Sequence, residues 1–302
     1  MRKIRTWFLP VGRLGMADVD LTLMDSLNKK KHIGEAVVIL GVFLFLIVFF
    51  LVGGDAAPYG FLGFAVSIGG AAYYAHIIKQ FKKKFLKKHL EEKIDDCSYR
   101  PSYGLTTGEV MECGFLKYPD RTKSEDYLSG RVEDVKFISS DVKLQEKKVY
   151  YQDGKRKTRW ETYFNGRVFE FDFNKTFKGH LQVLERFRPT TNDKFEKVEM
   201  ESVDFNKTFN TYATDNLTAY YILTPHLMES IMKIEKNHPG QLGLSFRKTK
   251  LNVAIKTHRT SFRVMPFQSL NKKLIESFDE DLDIIFDIVK ELKLNRKVFQ
   301  AT

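Results

Sequence analysis

Two adjacent apolar stretches near the start of the chain constrain its fold more than any other feature. Residues 33–52 read IGEAVVILGVFLFLIVFFLV, and residues 56–78 read AAPYGFLGFAVSIGGAAYYAHII. Each is close to the roughly 20 residues a helix needs to cross a bilayer core. Only Gly53, Gly54 and Asp55 lie between them. So short a link leaves no room for a folded domain. The pair reads as a transmembrane helical hairpin over 33–53 and 56–78. Residues 1–32 then form an N-terminal segment, and everything after the hairpin lies on the same side of the membrane as that segment.

The distribution of charge orients the hairpin. The chain carries a net charge of +11, but only seven Lys/Arg and five Asp/Glu lie in residues 1–78. The remainder holds 42 basic and 33 acidic residues, a net +9. Six lysines, Lys79, Lys82, Lys83, Lys84, Lys87 and Lys88, fall within ten residues that contain no acid. Lys29, Lys30 and Lys31 precede the first stretch, and the link between the stretches has no Lys or Arg. Positive residues flanking spans stay cytoplasmic, so both termini are expected in the cytoplasm. A basic excess concentrated at the membrane edge also argues against nucleic acid as the partner. MRKIR resembles the basic start of a signal peptide, but no apolar run of the required length follows it, so cleavage is not expected. Cys97 and Cys113 then sit in a reducing compartment as free thiols.

Within the second stretch Gly63, Ser67, Ala71 and Ala75 recur every four residues, a small-residue stripe that lets helices approach closely. Its simplest use is packing within the hairpin; a dimer face is the other. Glu35 and His76 lie near span ends and are placed to snorkel. Neither span has a central acid or base, which argues against a transporter or proton pump. After Ile78 the helix is expected to continue as a basic stalk, residues 79–100. Ile78, Phe81, Phe85 and Leu86 keep helical spacing among the six lysines, which are candidate contacts for anionic lipid.

Residues 101–302 read as a cytoplasmic α+β domain with a largely antiparallel sheet. Alternation begins near Val132, and Asp153-Gly154 and Asn165-Gly166 are hairpin-turn signals. Phe169, Phe171 and Phe173 share a face opposite Val168, Glu170 and Asp172, as in a meander with one buried face. Thr224-Pro225 opens a helix as N-cap and first residue. Segments 242–246 and 251–255 read as a hairpin, and residues 271–294 as one amphipathic helix. The hexapeptide DFNKTF occurs twice, at 172–177 and 204–209. It reads as a shared strand-to-turn device with Phe173, Phe177, Phe205 and Phe209 as buried anchors. Its alternate oxygens resemble a calcium loop, but the sixth position is Phe rather than the Gly such a loop requires.

Reactive motifs are scarce. There is no phosphate-binding Gly-rich loop, no Gly-x-Ser-x-Gly elbow and no His pair at metal-ligand spacing. No catalytic, cofactor or metal residue is assigned, and no cofactor is expected. The leading expectation is a membrane-anchored, non-catalytic binding or scaffold protein. The alternative is a membrane-bound hydrolase with an unrecognised acid or thiol site.

The runs TYFNGRVFEFDFNKTFKGHLQVL, ESVDFNKTF, YYILTPHLMESI and DIIFDIVKELKLN resemble the bacterial membrane-anchored family called domain of unknown function three-one-three-seven, over about residues 131–294. Members are often encoded near LemA-type membrane proteins. The resemblance implies an integral, multi-pass protein of the bacterial inner membrane and a LemA-type protein as possible partner. It supplies no catalytic residue.

Overall fold

The computed structural model describes residues 21–51, 57–191, 193–292 and 294. The chain divides into two compact units, 1–77 with 269–271 and 78–268 with 272–302. The link at Gly53–Asp55 and the first 20 residues lie outside the described residues.

In the first unit, helix α1 spans Leu21–Leu51 and helix α2 spans Ala57–Phe81. The apolar run of α1 is therefore preceded, without a break, by the basic segment that holds Lys29–Lys31. Lys31 does not sit free at a span end: it is buried and pairs with Glu35 at 2.5 Å. His32 Nδ1 lies 2.7 Å from the same carboxylate. Glu35 is thus held by neighbours one turn away, where snorkelling was expected.

The helices touch through glycines. A Cβ on Gly63 would lie 2.6 Å from the Phe45 backbone N, and one on Gly41 would lie 2.6 Å from the Gly63 carbonyl. Ser67 Oγ donates to the carbonyls of Val38 at 3.3 Å and Gly63 at 3.1 Å. The stripe does not continue through Ala71 and Ala75, which are exposed; Gly70 is buried in their place. Steps of four residues overrun the 3.6-residue turn by about 40° each, so a four-spaced row drifts off a straight contact. Most large apolar side chains of both helices, Phe43, Phe49, Phe61 and Leu62 among them, point outward.

The second unit begins in the last turn of α2. A π-turn, Lys82–Leu86, follows, with the Lys87 N–H bonded to the Lys82 carbonyl, and then helix α3, Lys87–Glu91. Phe81, Phe85, Leu86 and Leu90 are all buried. The stalk is therefore a packed part of this unit and not a solvated spacer.

Among the described residues seven strands form one antiparallel sheet: β1 (Asp95–Arg100), β2 (Arg121–Val132), β3 (Val135–Gln152), β4 (Lys155–Leu184), β5 (Glu196–Val198), β6 (Asn210–Ala213) and β7 (Gln241–Lys256). They run in the order β1-β2-β3-β4-β6-β5, and β7 also pairs with β4. The long β4 is the spine. Its first half pairs with β3 and its second half with β6, while β7 lies along its other edge from Gly166 to Leu184. The fold is α+β, as expected, but three details differ.

Asp153-Gly154 makes the expected tight turn, with φ of 54° and 72°. Asn165-Gly166 makes none and lies inside β4. Gly166 is there because β7 comes close: a Cβ would lie 1.9 Å from the Ile255 carbonyl oxygen. Residues 242–255 likewise form no hairpin. They run on as one strand, and Lys248, at φ 54°, absorbs a register slip. Across that slip β4 advances eight residues, Asp172 to His180, while β7 advances three, Lys250 to Arg247. Finally, the central strands are buried on both faces. Phe164 and Val168 join Leu105, Val110, Phe115 and Leu116 on one side. Phe169 and Phe171 are buried on the other, where Phe262 meets Tyr99 and Phe278.

The two copies of DFNKTF do not share a conformation. The first lies in β4 at the slip; the second forms helix α5, Val203–Thr208. The strand-to-turn reading is thus corrected by context, which overrides weak intrinsic propensity. Phe205 and Phe209 are buried; the side chains of Phe173 and Phe177 lie outside the described residues. Helix α4 is Thr107–Met111, and α6 is Asn216–Ile222. Helix α7, Pro225–Asn237, starts at the Thr224 cap, whose side chain accepts from the Leu227 N–H at 3.3 Å. The C-terminal helix is broken at Phe278 into α8, Lys272–Ser277, and α9, Asp279–Glu291.

Gly166→Ala is expected to destabilise the chain by roughly 3 kcal/mol, the upper part of the range for overpacking, because the obstruction is backbone and cannot rotate away. Chemical unfolding of the full chain in detergent measures it.

Candidate functional site

Chemistry-bearing side chains of the second unit converge in three places. The first is a buried ionic cluster. Arg167, on β4, donates from Nη1 to Asp141 Oδ1 at 3.2 Å and from Nη2 to Ser139 Oγ at 3.0 Å and the Asp126 carbonyl at 3.3 Å. Its guanidinium lies 5.0 Å from the Phe262 ring centroid and 5.8 Å from that of Phe169. Asp126 occupies a bulge of β2 at φ 55°, a conformation Asp tolerates better than most residues. Its carboxylate accepts from Tyr99 Oη at 2.5 Å and from Lys82 Nζ at 2.6 Å. Two acids and two bases are thus balanced inside the fold, and one of the bases comes from the stalk.

Burial outweighs the neighbouring guanidinium at Asp141 and pushes its carboxyl up to about 6. An acid that holds its proton more firmly folded than unfolded stabilises the fold most at low pH. With an unfolded value of about 3.9, that contribution fades as pH climbs from about 4 to about 6. Asp141→Asn is therefore expected to lack this decline. Comparing its unfolding midpoint with the parent's between about pH 4 and about pH 7 measures the effect.

The second place joins His180, Asp193 and Ser245. His180 Nδ1 lies 2.7 Å from Asp193 Oδ2, and its Nε2 lies 2.7 Å from Ser245 Oγ. These contacts reproduce the order of an acid–imidazole–hydroxyl relay. Burial lowers the His180 pKa, so the imidazole is neutral at pH 7. Yet Ser245 is fully buried and His180 nearly so, with Phe195 packed edge-on to the ring at 4.8 Å. Gln182 Nε2 also approaches His180 Nε2, at 3.3 Å. A substrate carbonyl has no path to the hydroxyl in this arrangement.

The third is an open cleft of about 320 Å³ on the sheet, lined by Asp96, Arg131, Glu170, Asp172 and Lys250 among others. Its charges largely satisfy one another. Arg131 pairs with Asp96, and Lys250 with Glu170 and, at 3.3 Å, with Asp172.

Neither thiol is activated by its surroundings. Burial pushes Cys97 up to about 11 and the fully buried Cys113 higher still, so both stay protonated at neutral pH. No group of three His, Cys, Asp or Glu side chains is placed to hold a metal among the described residues.

Of the six stalk lysines, Lys79, Lys83, Lys84, Lys87 and Lys88 are exposed. Lys82 is turned inward to Asp126. His89 and Lys93 each lie 2.6 Å from Asp279 at the start of α9, a second tie between stalk and body. None of the three clusters was legible in the sequence. His180 and Ser245 are 65 residues apart, and Arg167 and Asp141 are 26 apart. Only the pairing register brings them together.

The fold and its clusters define an α+β body carrying two helices long and apolar enough to cross a membrane. Residues 162–294 match the model of the family described as "Protein of unknown function (DUF3137)". The match starts within β4 and ends just past α9, and over that segment it agrees with the resemblance read from the residues. No curated protein matches the chain. Among solved structures, the chain is similar to the mycobacterial trehalose monomycolate transport factor A, TtfA. The identity is 9% and the TM-score 0.41, over 72% of this chain and 96% of that one. So slight a likeness carries neither fold nor function across.

Proposed function

We propose that the chain is a non-catalytic binding or scaffold protein of the bacterial inner membrane, held there by α1 and α2. One observation carries the membrane part: only 17% of the apolar window of each helix is buried. The core helix of a soluble protein would be mostly covered. Outward-facing Phe, Leu and Ile recur along both helices, and a contiguous exposed apolar surface of this kind marks contact with a membrane or a partner. In this reading both termini face the cytoplasm, on the strength of the lysines flanking the spans. Lys79, Lys83, Lys84, Lys87 and Lys88 meet anionic headgroups, and Lys82 serves the fold instead. A LemA-type membrane protein is the partner class that the family resemblance suggests.

The chain is expected to resist alkaline carbonate extraction from membranes. In intact cells, a cysteine introduced at Lys123 should remain unlabelled by an impermeant maleimide until the membrane is opened. Labelling of intact cells would reverse the orientation.

A second reading, a serine hydrolase, has the His180–Asp193–Ser245 contacts in its favour. Enclosure of Ser245 weighs against it. Incubating the full chain with a fluorophosphonate is expected to leave Ser245 unmodified. An adduct there that disappears in His180→Ala would move the assignment to a hydrolase.

A further inference from the structure

The outer ends of β3 and β4 leave the sheet. Pairing of β2 with β3 stops at Gln145, and pairing of β7 with β4 starts at Gly166. Between them, from the Glu146↔Glu161 pair to Gln152↔Lys155, the two strands pair with each other alone. Seven rungs at about 3.3 Å each give an arm roughly 23 Å long. Apart from Glu161, every residue from Lys147 to Glu161 is exposed.

Residues paired across an antiparallel ladder share a face. One face of the arm therefore carries Lys147, Val149, Tyr151, Arg156, Thr158 and Trp160. Tyr151 is 75% exposed, Trp160 46% and Val149 43%. The other face carries Lys148, Tyr150, Lys155, Lys157 and Arg159. Residues 147–160 hold six basic side chains against the single acid Asp153, a net +5. At the base, Glu146 and Glu161 hold Lys148 at 2.9 and 3.3 Å; toward the tip the one acid is Asp153, in the turn itself.

At the base of the arm the Arg121 guanidinium lies 5.7 Å from the Trp160 ring centroid and the Asp120 carboxylate accepts from the Lys147 N–H at 2.8 Å. Beyond that the ribbon, paired with no other described strand, leaves Val149 and Tyr151 exposed beside Trp160. Trp and Tyr set among Lys and Arg match the headgroup layer of a bilayer, where amphipathic rings sit beside anionic phosphates. We infer that residues 146–161 form a membrane-contacting arm that lays the Tyr151–Trp160 face on an anionic lipid surface. The inference rests on the proposed membrane location only for its concentration effect: a tethered arm meets the surface intramolecularly. Trp and Tyr interleaved with basic side chains, on a chain tethered to the bilayer in that reading, favour headgroups over a nucleic-acid groove.

Trp160 reports on this directly. The chain has two tryptophans, so Trp7→Phe leaves Trp160 as the sole emitter. That variant, full length, is reconstituted into vesicles of phosphatidylcholine alone or mixed with phosphatidylglycerol. In the anionic vesicles Trp160 emission should shift to the blue and be quenched by brominated lipid. Both effects should be absent in neutral vesicles and should fade as salt is raised toward 1 M, where screening is short-ranged. Adding Lys147→Glu and Arg156→Glu, both on exposed positions, should abolish them. Emission indifferent to lipid charge overturns the inference, and so does a Trp160 response to oligonucleotide with none to lipid. Carbonate extraction of the same sample reads the α1–α2 anchor separately. A chain that washes off but still shows lipid-dependent Trp160 emission with added vesicles retains the arm and loses the anchor.

Discussion

An Arg167→Met chain should be less stable than the parent by about 3–5 kcal/mol, the usual loss when one partner of a buried ion pair is removed. Arg167 is nearly inaccessible and supplies Asp141, Ser139 and the Asp126 carbonyl with hydrogen bonds while lying against two aromatic rings. Methionine can fill the space but removes the guanidinium from the Asp141 carboxylate, which keeps the Ser261 N–H at 2.6 Å. The loss should shrink at low pH. The Asp141 carboxyl already sits near 6, and removing the cation raises it further, so below about pH 5 it protonates and no bare charge remains. A double variant, Arg167→Met with Asp141→Leu, should recover much of the loss, because a buried pair replaced by apolar groups of similar volume is often neutral. Chemical unfolding of the full chain in detergent at about pH 5 and about pH 8 separates these outcomes. A single variant with the parent's midpoint at both values would show that the guanidinium contributes nothing net.

The same residue shows why the cluster escaped sequence reading. Arg167 follows Asn165-Gly166, a pair that reads as a turn, and a turn would place Arg167 at a solvated strand start. The structure uses Gly166 for close approach to Ile255 instead, so Arg167 points into the fold midway along β4. A glycine needed for clearance and a glycine needed for a turn are the same letter, and only the partner strand tells them apart. At Asp153-Gly154, where no third strand competes, the turn forms as the dipeptide predicts. The long apolar runs of α1 and α2 were legible for a similar reason: about 20 apolar residues restrict a chain whatever surrounds them. Strands β1 and β2 were not, since bulges at Asp96 and Asp126 break the alternation that identifies a strand.

Two short segments mark the limit of local reasoning. Lys248 reads as a turn residue between two apolar runs, yet a single left-handed dihedral lets β7 continue past the slip. In the arm, alternation correctly signals strands, but alternation alone does not say whether a layer covers them. The distinction lies in where β2 and β7 stop, and their ends are set by the sheet as a whole.

Phe205→Ala is expected to cost about 3–5 kcal/mol, the range for removing a buried phenylalanine. The hexapeptide is a sequence that folds two ways. A spacing of four puts both phenylalanines of DFNKTF on one face of a helix and also on one face of a strand, so the hexapeptide does not choose. Its neighbours do. The first copy extends the alternating VFEF of β4. The second follows Ser202, whose side chain accepts from the Phe205 N–H at 3.3 Å and caps α5. Asn206 then locks the turn through both sides of its amide, accepting from the Met200 N–H at 3.1 Å and donating to the Met200 carbonyl at 2.7 Å. This places the Phe205 and Phe209 rings 5.2 Å apart in the core, both essentially inaccessible. The cap and the rings should therefore contribute unequally. Ser202→Ala should cost about 1 kcal/mol, as N-caps do, and Phe205→Ala several times more. Unfolding midpoints of the two variants in the full chain give the ratio. Equal losses would mean that the cap, not the packing of the rings, holds α5 in place; no loss at Phe205 would mean that the second copy is not an anchor at all.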